Sequence, residues 1–301
     1  MQQAYHVPVL LHEVIEGLQI FPSGIYVDCT FGGGGHSKKI LEKLNDTGKL
    51  IVFDQDEDAK KNVPDDPHIL FVPQNFRHLK RFLRLHQVFS VNGILADLGV
   101  SSHQINEAER GFSTRFDAAM DMRMSRNNPK TAAHVVQTYS EEMLQKIFEK
   151  YGEVTNSKTL AHHIVEARKL KPIETIKEFR NAIFPVVKGN PQKYLAQVFQ
   201  ALRIEVNDEF NVLKELLLQS VEVLIPGGRI AVITFHSLED RLVKNFFKNG
   251  NFEPEQQQDI FGNRVKSELK VITKKPIVPS KEEQEQNPRS RSSKLRIAEK
   301  I

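Results

Sequence analysis

Cysteine occurs once, at Cys29, and tryptophan not at all. A single cysteine excludes an intramolecular disulfide and any multi-cysteine zinc site. Without tryptophan, a nucleic-acid base could be stacked only on phenylalanine, tyrosine or arginine. Long apolar runs are missing as well: no stretch approaches the ~18 uninterrupted apolar residues of a membrane span. Residues 1–6 hold no basic segment and lead into no apolar one, so no secretory leader is expected and the cytoplasm is the default compartment. No Gly-Lys is followed by Ser or Thr, which excludes a P-loop. The histidines lack H-E-x-x-H spacing, so no metal site is expected. What is present is a globular composition, 301 residues with 40% apolar and 27% charged side chains, too apolar for a disordered chain.

Net charge is +4, and its distribution is more telling than its size. Residues 106–204 hold 16 Lys and Arg against 11 Asp and Glu, whereas the rest holds 26 against 27. The positive excess lies in the middle of the chain, where it would favour a polyanionic partner.

The first hundred residues alternate strand and helix patterns. Strands are predicted at 25–30, 49–54, 69–73 and 92–98, with helices at 37–44 and 76–86. Near-continuous apolar strands separated by helices imply a parallel sheet covered on both faces. From about 104 to 203 the periodicity is helical, with helices predicted at 160–170 and 176–184, and another starting at Ser140. A long helical pattern covers 194–224. Pro226-Gly227-Gly228 then turns into a buried strand at 229–235, with further strands predicted at 269–273 and 295–298. The polar stretch 280–293 reads as a loop. The predicted organisation is an α/β core made of 1–105 and 205–301, interrupted by a helical insertion at 106–204.

A glycine-rich turn, Phe31-Gly32-Gly33-Gly34-Gly35-His36, joins the first strand to the first helix. Such a turn lets a ligand approach the backbone and aims helix N-terminal amides at it. Asp54 follows Gly35 by 19 residues, at the end of the second strand. An acid there accepts hydrogen bonds from ribose hydroxyls. A dinucleotide and S-adenosylmethionine both fit. The G-x-G-x-x-G fingerprint fails at its third position, which is Ser37, and no tyrosine has a lysine four residues on, so S-adenosylmethionine is preferred. Asp97 ends the fourth strand and His236 follows the fifth, which places both on the ligand rim at the strands' carboxyl ends.

The runs DCTFGGGGHS (28–37), DLGVSS (97–102), ERGFS (109–113), MDMRM (120–124), FQALRIEVNDE (199–209), ITFHSLEDR (233–241) and RSRSSKLR (289–296) together resemble the ribosomal RNA small-subunit methyltransferase H family, also called MraW. The resemblance runs from Tyr5 to about Ala298. It implies a Rossmann-like class I methyltransferase core with an inserted all-helical domain. It also implies methylation, from S-adenosylmethionine, of the exocyclic N4 of a cytosine in the decoding region of 16S rRNA. Carried over by position, Gly34, Gly35 and His36 lie at the methionine end of the cofactor, Asp54 takes the ribose, Phe76 lies by the adenine, and Asp97 and Gln104 complete the pocket. The sequence departs from the family's pattern at His103 (usually proline), Thr114 (often bulky) and Ser125 (often acidic).

Cytosine N4 is a weak nucleophile, so an acceptor for its amino protons is expected. Asp97, Ser102 and His236 are the candidates, because the chain lacks the Pro-Pro segment that many amine methyltransferases carry after the fourth strand. Phosphate contacts are expected from the insertion, at Arg110, Arg123 and Arg203, with 16S rRNA, in the small ribosomal subunit, as partner and no membrane. Arg115, Arg126, Lys130 and the tail residues Arg289, Arg291 and Lys294 extend that basic set. Helical insertions also mediate dimers, which leaves a homodimer open. Helix 76–86 carries only basic charges, because no acid occurs between His68 and Ala96. A non-catalytic nucleotide-binding module, a methyltransferase on another nucleic acid and an oxidoreductase are the competing functions.

Overall fold

In the computed structural model, which describes residues 8–254 and 267–301, seven strands form one sheet in the order β3-β2-β1-β4-β5-β7-β6. Residues 1–7, where the leader was sought and the family resemblance begins, lie outside the described residues. The strands are β1 (Ile25–Asp28), β2 (Lys49–Phe53), β3 (Ile69–Val72), β4 (Val91–Asp97), β5 (Leu224–Thr234), β6 (Leu269–Val271) and β7 (Lys294–Lys300). β1 to β5 pair in parallel, while β7 runs antiparallel to both β5 and β6. The order reverses between β1 and β4. That switch point is where an open α/β sheet leaves a crevice at the carboxyl ends of its strands.

The chain divides into two compact units, 1–99 with 211–301, and 100–210. In the first unit, strand alternation sends side chains into two apolar layers. Val27, Ile51, Phe53 and Ile94 face α3 (Leu79–Leu85), α10 (Glu209–Val223) and α11 (Ser237–Asn249). Tyr26, Leu50, Val52 and Leu95 face α1 (Leu11–Leu18) and α2 (Gly35–Leu41). Both faces are therefore buried, which is why these strands read as unbroken apolar runs.

The second unit holds α4 (Ser102–Asn106), α5 (Ala132–Thr138), α6 (Glu141–Gly152), α7 (Ser157–Leu170), α8 (Ile176–Ile183) and α9 (Pro191–Asn207), and none of the seven strands. Its own core is built from Val135, Leu144, Phe148, Leu160, Ile164, Phe179, Val198 and Leu202. The unit extends beyond the expected bounds of 106–204 at both ends.

Three readings of the sequence change. The pattern 194–224 is two helices, broken at Asp208, whose φ of 53° ends α9 in the left-handed region. Apolar periodicity runs through the break and conceals it. Residues 280–293 are not a loop but α12 (Lys281–Gln286) followed by a 3-10 turn, Pro288–Ser292. The Ser280 hydroxyl accepts from the Glu283 amide, a Ser-x-x-Glu start that needs no apolar stripe. Residues 224–228 belong to β5: pairing with β4 jumps from Val91–Leu224 to Gly93–Arg229, so Pro226-Gly227-Gly228 form a bulge inside the strand.

Candidate active site

The glycine turn is shaped by its backbone. Gly32 (φ 50°) and Gly34 (φ 75°) are left-handed, and Gly34 caps α2. A Cβ on Gly34 would meet the Phe31 ring at 2.9 Å, and one on Gly35 would meet Pro8 at 2.2 Å. Side chains are thus excluded from both positions, and the first amides of α2 have no partner within the helix.

Three acids stand beside this turn at the carboxyl ends of the strands. Asp28 is buried at the end of β1, accepting from the Ser37 hydroxyl at 2.7 Å and from the Thr30 amide at 3.0 Å. Burial pushes its pKa up against those hydrogen bonds. Asp54 follows β2 and accepts from the amides of Gly32 (2.7 Å) and Asp56 (2.8 Å). Its pKa is raised to about 6, chiefly by burial. Asp54 therefore holds the glycine turn in place, and a carboxylate that bonds two amides keeps acceptor capacity for ribose hydroxyls.

Asp97 ends β4. Its amide donates to the Thr30 hydroxyl at 2.7 Å, which ties β4 to β1. Its Oδ1 is buried with no hydrogen-bond partner among the described residues. Burial first, then the charges of Asp28 and Glu239, raise its pKa to about 8. At neutral pH this environment favours the protonated carboxyl. Its Oδ2 lies 3.8 Å from His36 Nδ1. His36 is buried on α2, with Nε2 3.0 Å from the Val9 carbonyl. A carbonyl only accepts, so Nε2 carries the proton and Nδ1 faces Asp97 as an acceptor. Burial lowers the His36 pKa, which keeps the ring neutral.

His236 has another duty. It is the N-cap of α11, and its Nδ1 accepts from the Glu239 amide at 3.4 Å. Nε2 lies 3.2 Å from Oε1 of Glu239, a buried acid whose Oε2 accepts from the Phe235 amide. Nδ1 is taken up by the cap and Nε2 lies against Glu239, so the histidine holds the start of α11.

Asp28, Ser37, Thr30 and Glu239 were not singled out in the sequence, although they lie within the motifs quoted above. Phe76 is half-buried at the start of the 3-10 turn Phe76–His78, against the core. Gln104 and Ser102 belong to the second unit. Gln104 is buried and shares a reciprocal capping box with Ser101 that opens α4, while Ser102 is the first helical residue.

The three arginines expected on RNA are engaged inside the second unit. Arg110 is buried, and its guanidinium donates to the carbonyls of Arg123 and Met124, each at 3.0 Å. Arg123 pairs with Asp121 at 2.7 Å and donates to the carbonyls of Arg126 and Asn128. Arg203 makes two 2.8 Å bonds to Glu209 across the break at Asp208. Gly111 (φ 71°) completes this framework, because a Cβ there would meet the Ala119 carbonyl at 2.6 Å. ERGFS and MDMRM thus lace one loop to itself. Arg115 and Arg126 remain exposed, with Arg115 over the Phe116 ring at 5.7 Å.

A glycine cradle, an acid for ribose and a partnerless acid on the rim fit S-adenosylmethionine. Comparison with known proteins agrees. A profile of the MraW methylase family matches residues 3–301. Ribosomal RNA small subunit methyltransferase H of Parabacteroides distasonis is 56% identical over 299 residues, covering 99% of this chain and 98% of that protein. The protein of the same name from Flavobacterium johnsoniae is 55% identical over 298 residues, covering 99% and 98%. Among solved structures, an rRNA methylase from Streptococcus thermophilus aligns over 98% of this chain and 99% of its own, at 11% identity and a TM-score of 0.44. With the profile spanning nearly every residue and relatives more than half identical along the chain, this protein belongs to the MraW methylase family.

Proposed function

We propose that this methylase acts on ribosomal RNA in the cytoplasm, and that its acceptor is the exocyclic N4 of a cytosine in the decoding region of 16S rRNA, presented in the small subunit. Asp97 is the observation that carries the acceptor chemistry: a half-buried carboxyl on the rim of β4 with one buried oxygen unpartnered among the described residues. A lone pair delocalised into the ring makes N4 a poor nucleophile. An acceptor for its amino protons favours a pyramidal nitrogen and draws off a proton after transfer.

S-adenosylmethionine supplies an electrophilic methyl group on a sulfonium. The chain supplies placement. The left-handed glycines expose backbone amides, Asp54 is positioned for the ribose hydroxyls, and Phe76 offers an apolar face for the adenine. A cation held in the pocket would favour the ionised form of Asp97, the form able to accept from N4. The base must leave its stack to reach this rim. Cys29 takes no part, since its thiol is buried in the core and burial pushes its pKa well up. That argues against attack at cytosine C5 through a thiol adduct.

The test is transfer of a radiolabelled methyl group to small subunits from cells lacking this enzyme, followed by mass spectrometry of the nucleosides. N4-methylcytidine is expected. A label on another atom or base refutes the acceptor, and no transfer to subunits or to naked rRNA refutes the substrate.

A further inference from the structure

The outer face of α3 is a cationic and apolar strip with no acid of its own. Residues 69–95 contain no Asp or Glu. Leu79 and Leu83 are buried against the sheet. Arg77 and Lys80 turn toward α10, where they pair with Glu215 and Glu222 and neutralise that helix's nearby acids. Arg81 and Arg84, one turn further along, take no part in these pairs, and Arg81 lies over the Phe82 ring at 5.9 Å. Both arginines are exposed, and neither forms an ion pair with any described residue. Leu85 (69% exposed) continues this ridge, and Phe89 (73% exposed) follows it in the turn before β4. Spacings of three and four residues put Arg81, Arg84 and Leu85 on one side of the helix.

We infer that this strip is a second RNA-contacting surface, in which Arg81 and Arg84 meet phosphates and Phe89 stacks on an unpaired base. The inference rests on the rRNA reading above and adds to it the form of the substrate. Unpaired arginines beside an exposed ring match a polyanion that also carries aromatic faces. Leu85 and Phe89 both stand exposed beside the two arginines, so the strip joins apolar and cationic groups in one place. The strip borders the amino end of β4, whereas methyl transfer takes place at its carboxyl end. Seven strand residues, about 20 Å, separate the two. RNA engaging both ends must fold around the unit, which selects a large structured substrate over a short strand.

Four proteins are compared: wild type, Arg81→Ala/Arg84→Ala, Phe89→Ser, and Lys244→Ala/Lys248→Ala, a charge-matched pair on exposed positions of α11. Each is titrated with unmodified 16S rRNA across a salt series, and calorimetry with S-adenosylmethionine verifies the pocket. Losing the arginines is expected to weaken rRNA binding about tenfold or more and to lower the salt slope by about 1 to 2. Phe89→Ser weakens binding with the slope unchanged, because stacking releases no counterions. The control pair loses less, and donor affinity stays constant throughout. Equal losses in the control, or none in the arginine pair, overturn the inference. So does a defect confined to intact subunits with naked rRNA binding preserved, which would assign the strip to a ribosomal protein. If wild type methylates rRNA and the arginine pair is indistinguishable from it, the second surface alone fails. If wild type neither binds nor methylates rRNA, the underlying reading fails first.

Discussion

In the proposed reaction a single carboxyl, that of Asp97, accepts from the substrate, and its burial works against the fold. The pKa of Asp97 is raised to about 8 in the folded protein, far above its unfolded value. Its contribution to stability is therefore complete below about pH 4 and is lost as pH rises through about 8. Asp97→Asn removes that loss, so its Tm relative to wild type should increase between pH 5 and pH 9. The same substitution should lower kcat by about 10²- to 10⁴-fold. In wild type, kcat/KM for the methyl donor, which reports the free enzyme, should rise through about pH 8. A flat profile would remove Asp97 as the acceptor. His236→Asn is the contrast. Asparagine caps helices well, so this variant should keep its α11 cap and most of its activity. If His236 were the base, it would lose as much as Asp97→Asn.

Arginine 110 makes the complementary point. Its position in ERGFS suggested a phosphate contact, yet its buried guanidinium serves two part-buried carbonyls. Arg110→Ala should destabilise the protein by about 2–5 kcal/mol in chemical denaturation, because both acceptors lose their donor. Arg126→Ala, on an exposed side chain, should leave stability within about 0.5 kcal/mol of wild type. Residue type and motif membership were legible in the sequence. The direction a guanidinium points was not, since that depends on carbonyls over ten residues away.

At the scale of elements, the sequence is most readable where burial is strongest. All seven strands were visible, β1 to β4 because each is an apolar run; β5 was read from 229 because the bulge at Pro226-Gly227-Gly228 conceals its start. Five of the described helices were missed: α12 has no buried residue and α4 is five residues opened by a capping box, while α1, α5 and α11 carry only two to five buried residues each. The break between α9 and α10 was hidden for the opposite reason, since apolar residues continue on both sides of Asp208. Arg203 bridges that break to Glu209. Asp208 adopts a conformation that favours glycine, so Asp208→Gly should be neutral or stabilising by up to about 1 kcal/mol, while Asp208→Val should cost about 1–2 kcal/mol. Urea denaturation of both variants decides this. The candidate site was half legible by the same logic. The glycine turn, Asp54 and Asp97 stand at strand ends that the pattern marks, whereas the buried roles of Asp28 and Glu239 emerge only once the strands are side by side.

For the molecule as a whole, the sheet order has a consequence in time. β7 lies between β5 and β6, and Ile297 within it packs in the layer that also holds Val14 and Leu18 of α1. Arg229 of β5 donates to the Gly17 carbonyl and pairs with Glu299 of β7, joining segments more than two hundred residues apart. During synthesis β5 is made some sixty residues before the strand that covers its edge. Until then it presents unpaired amides and carbonyls, the template on which edge-to-edge association begins. Contacts of such long range also make closure slow. The nascent chain therefore meets its greatest aggregation risk late in translation, in the interval between β5 and β7.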